Sequence, residues 1–151
     1  TRRSSDLCGK PKCSWCKEIN KTTTFSSSNN NKIFKIFHFV NCQSSWVFYI
    51  IECNICNLQY IGKSETELNP RLNNHRNHIE KGISGCELME YSLHNKRTHN
   101  FDYNVIITIM EQIRKDNISN QQKKDLLRRR EISWQNKLNS MQPNGLNKRI
   151  G

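Results

Sequence analysis

Residues 46–64 read WVFYIIECNICNLQYIGKS, and this stretch decides the fold. Its first part, residues 46–53, is a run of β-branched and aromatic residues, and residues 58–61 form a second, shorter run. Two such runs joined by a few polar residues predict a β-hairpin, here with a Cys-x-x-Cys pair at its turn. Gly62 follows the second run, where a missing side chain lets the backbone come close to a substrate or to the next helix.

The sequence after the hairpin predicts a helix. Ser64 and Glu67 form a capping box at its start, although Pro70 moves the expected start to about Asn69. The apolar stripe of this helix and its stop are formed by Leu68, Leu72, Ile79 and Gly82.

Three more elements follow downstream. Residues 87–94 suit a short helix, and residues 101–110 (FDYNVIITIM) suit a buried strand. Ser119 and Gln122 form a second capping box, from which a long helix is expected to run to about Asn139 before a Pro-Asn-Gly sequence breaks it.

The segment upstream of the hairpin divides into parts of different character. Residues 21–31 (KTTTFSSSNNN) are polar and predict a loop, whereas the dense apolar residues of 32–40 predict a strand. The whole pattern predicts a cysteine-rich, zinc-binding extension at residues 1–44 and a small α/β domain at residues 45–151. We expect the domain to have a central three-stranded sheet, mixed or antiparallel, flanked by helices.

Composition limits the class of protein. Only 34% of the 151 residues are hydrophobic, and so small an apolar core often needs a staple such as a metal ion. We find no apolar run of the roughly 20 residues that span a bilayer and no signal-peptide pattern, so we expect no membrane partner. Because the chain begins with Thr1, we expect a piece of a longer protein.

The charge favours a polyanionic partner. The formal net charge is +11, with basic clusters at residues 2–3, 10–12 and 128–130. Such a charge favours nucleic acid through counterion release. Anionic lipid is the alternative, but the sequence has no long basic amphipathic helix to support it.

The seven cysteines indicate zinc rather than disulfides. Their odd number and the missing secretion signal argue against a disulfide framework, and a redox Cys-x-x-Cys would need a thioredoxin-like βαβ setting. Spacing gives two ligand sets of four: Cys53, Cys56, His94 and His99 in the first, and Cys8, Cys13, Cys16 and Cys42 in the second. His38 is the substitute ligand if Cys42 points away, and Cys86 is left over. Because four protein groups fill each set, neither zinc is expected to be catalytic.

The order of motifs resembles the GIY-YIG nuclease family. The motifs are Phe48-Tyr49-Ile50, with Phe in place of the usual Gly, then Tyr60-Ile61-Gly62, Arg71, Glu131 in REISW, and Asn147 in PNGLN. A Cys-x-x-Cys between the tyrosine motifs, two later histidines and the upstream sequence CGKPKCSWC at residues 8–16 are similar to the endonuclease domain of Penelope-like retroelements.

This resemblance implies an active site and a reaction. The implied catalytic residues are Tyr49, Tyr60, Arg71, His75, Glu131 and Asn147, and the expected DNA contacts are Lys63, Arg76, Arg128 and Arg130. Glu131 would hold Mg²⁺ or Mn²⁺, hard cations that prefer oxygen ligands. The implied reaction is a DNA nick in the nucleus whose 3′-hydroxyl primes a reverse-transcriptase domain of the same protein, copying its template RNA.

Other interpretations stay open at this stage. Taken alone, Arg71 and His75, four residues apart on one helix, suit two solvated side chains, and the tyrosines suit ordinary core positions. Glu131 falls on an apolar helix face and needs a partner there, for which Arg128 and Arg130 are candidates. A zinc-ordered nucleic-acid-binding module without cleavage activity is the main alternative function, and a host-derived nuclease is a weaker one. The group that activates water is Tyr49, Tyr60 or His75.

Overall fold

The computed structural model describes residues 13, 15, 16, 18–55, 57–81 and 105–147, with residues 78–81 as backbone only. Its strands are β1 (Thr24–Ser26), β2 (Ile33–Lys35), β3 (Val47–Cys53), β4 (Gln59–Ser64) and β5 (Val105–Gln112). Its helices are α1 (Leu68–Lys81) and α2 (Asn120–Leu138). The helix predicted at residues 87–94, the stop at Gly82 and the start of the strand predicted from residue 101 lie outside the described residues.

The central sheet has three antiparallel strands in the order β4-β3-β5. The predicted hairpin is confirmed as β3 and β4, which pair from Val47 opposite Ser64 to Glu52 opposite Gln59. As the middle strand, β3 is covered on both sides, which explains its nearly continuous apolar sequence in place of the alternation of a half-exposed strand. The small α/β fold predicted from the sequence is therefore present, with an antiparallel sheet.

In the described part of the chain, each face of the sheet packs against one helix. On the first face, Tyr49 and Ile51 of β3 pack with Leu68 and Leu72 of α1. On the second face, Phe48, Ile50 and Ile61 pack with side chains of α2, namely Leu127, Trp134 and Leu138. The two faces therefore have separate hydrophobic clusters, and the edge strand β4 lies between the two helices.

The start of α1 differs from the capping box predicted at Ser64. Ser64 belongs to β4, and its hydroxyl donates a hydrogen bond to the Thr66 carbonyl oxygen at 2.7 Å. The helix begins at Leu68, whose amide donates to the Ser44 carbonyl at 3.1 Å, and the Asn69 amide donates to the Cys42 carbonyl at 2.7 Å. Backbone carbonyls from the upstream segment thus satisfy first-turn amides that a side-chain cap would otherwise satisfy.

The long helix α2 agrees with its prediction. The Ser119 hydroxyl accepts a hydrogen bond from the Gln122 amide, and the Gln122 side chain accepts one from the Ser119 amide. Such a cap is worth about 1 kcal/mol. The helix ends at Leu138, and Asn139 follows in the left-handed conformation that commonly closes helices.

The segment upstream of the hairpin is more ordered than the polar loop predicted for residues 21–31. Residues 24–26 form β1, which pairs with β2 so that Phe25 lies opposite Phe34. These two rings stack at 5.4 Å between centroids, and both pack edge-on against Trp134 of α2. The aromatic contact with α2 supplies the burial that holds this short hairpin in place. The strand predicted at residues 32–40 is confirmed only over Ile33–Lys35.

Residues upstream of position 44 also enter the first hydrophobic cluster. Trp15, Cys16, Ile19 and Val40 are buried there, and Ile19 forms a parallel bridge with Ile107 of β5. The division of the chain after residue 44 stays a prediction. Within the described ranges, neither helix combines the length and apolar character that crossing a bilayer requires.

Candidate active site

The two motif tyrosines lie side by side on the first face of the sheet. The β3–β4 register puts Tyr49 opposite Gly62 and Tyr60 opposite Ile51. Because side chains alternate along a strand, Tyr49 and Tyr60 point to the same side, toward α1. Both are buried among the residues of the first hydrophobic cluster.

Gly62 is required by the Tyr49 ring. A Cβ atom at position 62 would lie 2.4 Å from both Cζ and the hydroxyl oxygen of Tyr49. The phenol therefore crosses directly over the Gly62 backbone. The side chain that approaches the Gly62 backbone is that of Tyr49, and the approach of a substrate anticipated for this glycine stays a prediction.

Helix α1 brings Arg71 and His75 to the two phenols. The Arg71 guanidinium donates hydrogen bonds to the phenol oxygens of Tyr49 and Tyr60. The hydroxyl of Tyr49 lies 2.5 Å from Nε2 of His75, and the imidazole also packs edge-on against the Tyr60 ring, with centroids 5.4 Å apart. His75 is 3% exposed, so it is not one of two solvated helix residues.

The phenols also affect the charge of Arg71. Burial alone would lower the pKa of Arg71, but the charge interactions and hydrogen bonds with Tyr49 and Tyr60 outweigh it and raise that pKa. The guanidinium is thus held as a cation against two oxygen atoms that can carry negative charge. It is only partly buried, so an anion can still approach it.

Glu131 is a buried carboxylate on α2 with a basic partner. It is 5% exposed, on the same helix face as Leu127 and Trp134. One carboxylate oxygen lies 3.3 Å from the Lys63 ammonium on β4. The sequence alone offered Arg128 or Arg130 of the same helix as candidate partners, whereas the ion pair seen here comes from a residue of another element. Lys63, expected as a DNA contact, supplies the positive charge that a buried carboxylate needs.

Asn147 is fully engaged with the strand that carries Tyr60. Its amide oxygen accepts a hydrogen bond from the Ile61 amide at 2.9 Å, and its side-chain nitrogen donates to the Ile61 carbonyl at 3.0 Å. The side chain therefore pairs with β4 much as a neighbouring strand would. This arrangement makes Asn147 a positioning residue for the tyrosine strand.

The four expected DNA contacts lie in different environments. Arg128 is exposed on α2. Arg130 is held by two hydrogen bonds to Glu111, at 3.0 and 2.5 Å, and Arg76 stacks over the Trp15 ring at 4.1 Å. Lys63 is paired with Glu131.

The first face of the sheet carries a partly accessible cation, two phenols and a histidine, and α2 on the other face carries a buried carboxylate. These are groups suited to hydrolysis of a phosphodiester. A family model described as the GIY-YIG catalytic domain matches residues 45–147, about two-thirds of the chain. The chain belongs to the GIY-YIG catalytic domain family. It is accordingly a nuclease domain whose substrate is DNA.

No curated protein and no solved structure matches this GIY-YIG chain.

Three cysteines of the GIY-YIG chain meet beside the start of α1. The sulfur atoms of Cys13, Cys16 and Cys42 all lie within 4.8 Å of one another, and the Cys42 sulfur is 3.3 and 3.4 Å from the other two. Zn–S bonds of about 2.3 Å put sulfurs about 3.8 Å apart around tetrahedral zinc, so a small spreading of the thiols would admit the ion. The fourth predicted ligand, Cys8, lies outside the described residues.

The local chemistry also suits a metal thiolate. Burial opposes ionisation of Cys13, but backbone hydrogen bonds from Cys16 and Trp15 and the neighbouring thiols lower its pKa to about 6. Cys13 is therefore largely a thiolate at neutral pH, the form that binds metal. Cys42 points into the cluster, so the substitute ligand His38 is not needed there.

Of the second predicted set of zinc ligands, only Cys53 is among the residues that the structure describes. Cys53 is buried at the end of β3, and its sulfur accepts a hydrogen bond from the Ile55 amide at 3.4 Å. Cys56, His94 and His99 lie outside the described residues, so this set stays a prediction.

Trp15 is a site residue that the sequence did not reveal. It lies inside the Cys13–Cys16 loop and is 1% exposed. Its indole N–H donates to the Asn73 side-chain oxygen on α1 at 2.7 Å. Together with the carbonyls of Cys42 and Ser44, this contact attaches the cysteine cluster to the helix that carries Arg71. The spacing Cys-x-Trp-Cys was the available signal, but it did not specify a partner.

We expect Gly62→Ala to lower the DNA cleavage rate at least about tenfold, because the new methyl group must displace the Tyr49 phenol and overpacking typically costs about 1–3 kcal/mol. The measurement is the cleavage rate of folded protein, with thermal unfolding as the check on folding. In a double-mutant cycle with Tyr49→Phe, the two losses should not add, since both act on the same hydroxyl. Wild-type cleavage by Gly62→Ala would contradict this function of the glycine.

Proposed function

We propose that this chain is the endonuclease domain of a retroelement protein of the Penelope-like kind. It nicks target DNA in the nucleus and leaves a 3′-hydroxyl, which primes reverse transcription of the element's template RNA by a polymerase domain elsewhere in the full protein. The support for this origin is the sequence: a Cys-x-x-Cys pair between the tyrosine motifs, two histidines downstream and a cysteine cluster upstream.

The observation that carries the proposed chemistry is the Arg71 guanidinium held between the phenol oxygens of Tyr49 and Tyr60. A planar cation fixed in this way can bind two oxygens of a phosphodiester. It can also stabilise the negative charge that develops on phosphorus during attack. We assign Arg71 to the scissile phosphate because it remains partly accessible, whereas Tyr49 and His75 are buried.

The phenol and the imidazole provide a route for a proton. Tyr49 takes a proton from the attacking water and passes its own proton to Nε2 of His75, which lies 2.5 Å from the hydroxyl. The water oxygen bonds to phosphorus, the bond from phosphorus to the 3′-oxygen breaks, and that oxygen takes a proton from solvent water as it leaves. The products are a 5′-phosphate and a 3′-hydroxyl.

Glu131 is the proposed ligand for Mg²⁺ or Mn²⁺. Its carboxylate oxygens are the hard donors that these ions prefer, and the 3.3 Å contact with Lys63 indicates that this carboxylate already lies beside a cation. The ion would supply positive charge to the phosphate and to the leaving oxygen. A single carboxylate makes a weak site, so we expect the phosphate itself to complete the binding. Lys63 orients the carboxylate and supplies a compensating positive charge.

A plasmid assay tests the function. Supercoiled DNA incubated with the protein and Mg²⁺ is expected to become open circular, and a DNA polymerase should extend the nicks without prior removal of a 3′-phosphate. The Glu131→Gln protein, purified in the same way, is the matched control for nicking by a contaminating nuclease. Intact plasmid, with DNA still bound, would instead support a binding module without cleavage activity.

We also propose two structural zinc ions per chain, one at each predicted ligand set. Elemental analysis is expected to give about two equivalents. Replacing Cys42 with Ser should remove one equivalent and lower cleavage, because loss of the ion would loosen the segment whose Cys42 and Ser44 carbonyls accept hydrogen bonds from the first turn of α1. Replacing Cys53 with Ser should remove the other equivalent and loosen the hairpin.

Cys86→Ser is the control for these zinc variants and should retain both ions. Less than about half an equivalent of zinc in well-folded protein would rule out both sites.

A further inference from the structure

An exposed aromatic and basic segment lies away from the tyrosines. After β2, the chain runs through Phe37, which is 81% exposed, and Phe39, which is 51% exposed. Phe25 and Phe34 of the same region are packed against α2, so the exposure is specific to the later pair. Large exposed apolar side chains commonly mark an interaction site.

A groove adjoins this segment. Its cavity volume is about 380 Å³, and its walls come from the segment after β2, the end of β5 and α2. The titratable and charged side chains that line it are His38, Glu111, Arg114, Lys115 and Arg130. The Arg114 guanidinium is fixed at this position, since it donates hydrogen bonds to the Phe39 carbonyl at 2.7 Å and to the Gln112 side chain at 2.6 Å.

Among the residues that the structure describes, the lining of the groove has a net positive charge. Glu111 is neutralised by its two hydrogen bonds from Arg130, which leaves the exposed Arg114 and Lys115 as uncompensated charges in the lining. Burial and the neighbouring Arg114 lower the pKa of His38, against an opposing effect of Glu111, so the imidazole adds no negative charge and little positive charge. An anionic ligand is therefore favoured.

We propose that this groove and the exposed Phe37 next to its lining residue His38 bind an unpaired nucleic-acid strand, with a base stacked on Phe37 and phosphates contacting Arg114 and Lys115 in the groove. Exposed aromatic rings beside cations are the combination that single strands use, because their bases have free faces for stacking. A duplex offers phosphates but keeps its base faces inside the stack. The segment lies toward β5, on the opposite edge of the sheet from β4 and its Lys63. The groove is thus a second nucleic-acid contact. This proposal rests on the proposed function only because the ligand of the groove and the substrate of the nuclease are both nucleic acids.

Binding of a labelled oligothymidylate tests the proposal, with a hairpin duplex of equal phosphate number as comparison and no divalent metal added. Phe37→Ala is expected to weaken oligothymidylate binding about five- to a hundredfold, the range for loss of one stacked base, and to leave duplex binding within about twofold. Phe37→Tyr should restore the affinity. Arg114→Gln should weaken binding and reduce its salt dependence.

Ile33→Ala is the matched control. Ile33 is 73% exposed but lines a different cavity, whereas Phe37 is the sequence neighbour of His38, which lines this groove. Loss of the Ile33 side chain should therefore leave oligothymidylate affinity unchanged. An unchanged affinity in Phe37→Ala, or an equal loss for single strand and duplex, would overturn the proposal. So would binding of the groove to anionic vesicles or an acidic peptide in preference to oligothymidylate. Because cleavage is not measured, failure of the nicking assay leaves this result interpretable.

Discussion

Replacing Glu131 with Gln is expected to abolish nicking while leaving the fold intact. The substitution keeps the size and hydrogen-bonding capacity of the side chain but removes the charge that would hold Mg²⁺ or Mn²⁺. Loss of several kcal/mol of transition-state stabilisation corresponds to roughly three orders of magnitude or more in rate. Initial rates of plasmid nicking, at saturating protein and with Mg²⁺, measure the effect.

Stability and binding separate this outcome from simple misfolding. Glu131 is 5% exposed, so neutralising it removes a desolvation cost, and Lys63 is accessible enough to be hydrated once its partner is gone. Thermal stability and DNA affinity should therefore be unchanged or raised. Asp125→Asn is the matched control, because Asp125 is an exposed carboxylate on the same helix; it should nick normally. A Glu131→Gln protein that nicks at nearly the wild-type rate would refute the mechanism.

Replacing Arg71 with Ala is expected to reduce cleavage about 10²–10³-fold, the usual loss when one preorganised donor to a developing anion is removed. DNA affinity should fall as well, because the guanidinium also contacts the phosphate in the ground state. Arg71→Lys keeps the charge but loses the planar pair of donors that holds two oxygens. It should recover much of the binding and little of the cleavage.

The control for Arg71 is the exposed Arg128 on α2. Arg128→Ala should weaken binding to all sequences similarly, since phosphate contacts carry no sequence information, while the rate at saturating DNA stays near wild type. Single-turnover rates at saturating enzyme separate the two effects. If Arg71→Ala cleaves normally once DNA is saturating, Arg71 serves binding alone.

The hairpin and the pairing of its tyrosines could be predicted because the information is local. The apolar run of β3, the turn at the Cys-x-x-Cys pair and the second run of β4 set the register. Alternation along paired strands then puts Tyr49 and Tyr60 on one face. The helix spacing likewise brings Arg71 and His75 to one side of α1, and the capping box at Ser119 marks the start of α2.

Features that depend on distant backbone groups could not be predicted. The start of α1 depends on carbonyls of Cys42 and Ser44, which the local capping signal at Ser64 does not describe. The partner of Glu131 is Lys63 on another element, whereas helical spacing suggested arginines next to it in sequence. Phe25 is in a low-complexity segment, and its contacts with Phe34 and Trp134 are not visible in the sequence of that segment.

The hydrogen bonds from the first turn of α1 to the cysteine segment limit which part of the chain can be transferred by recombination to another protein. The match to the GIY-YIG family model begins at residue 45. Helix α1, however, makes hydrogen bonds to the carbonyls of Cys42 and Ser44 and to the indole of Trp15. A recombination event that transplanted only the recognisable part would deliver a helix without its anchor. The unit that folds is therefore longer than the matched residues 45–147. The cysteine segment must accompany the nuclease domain into any new host protein.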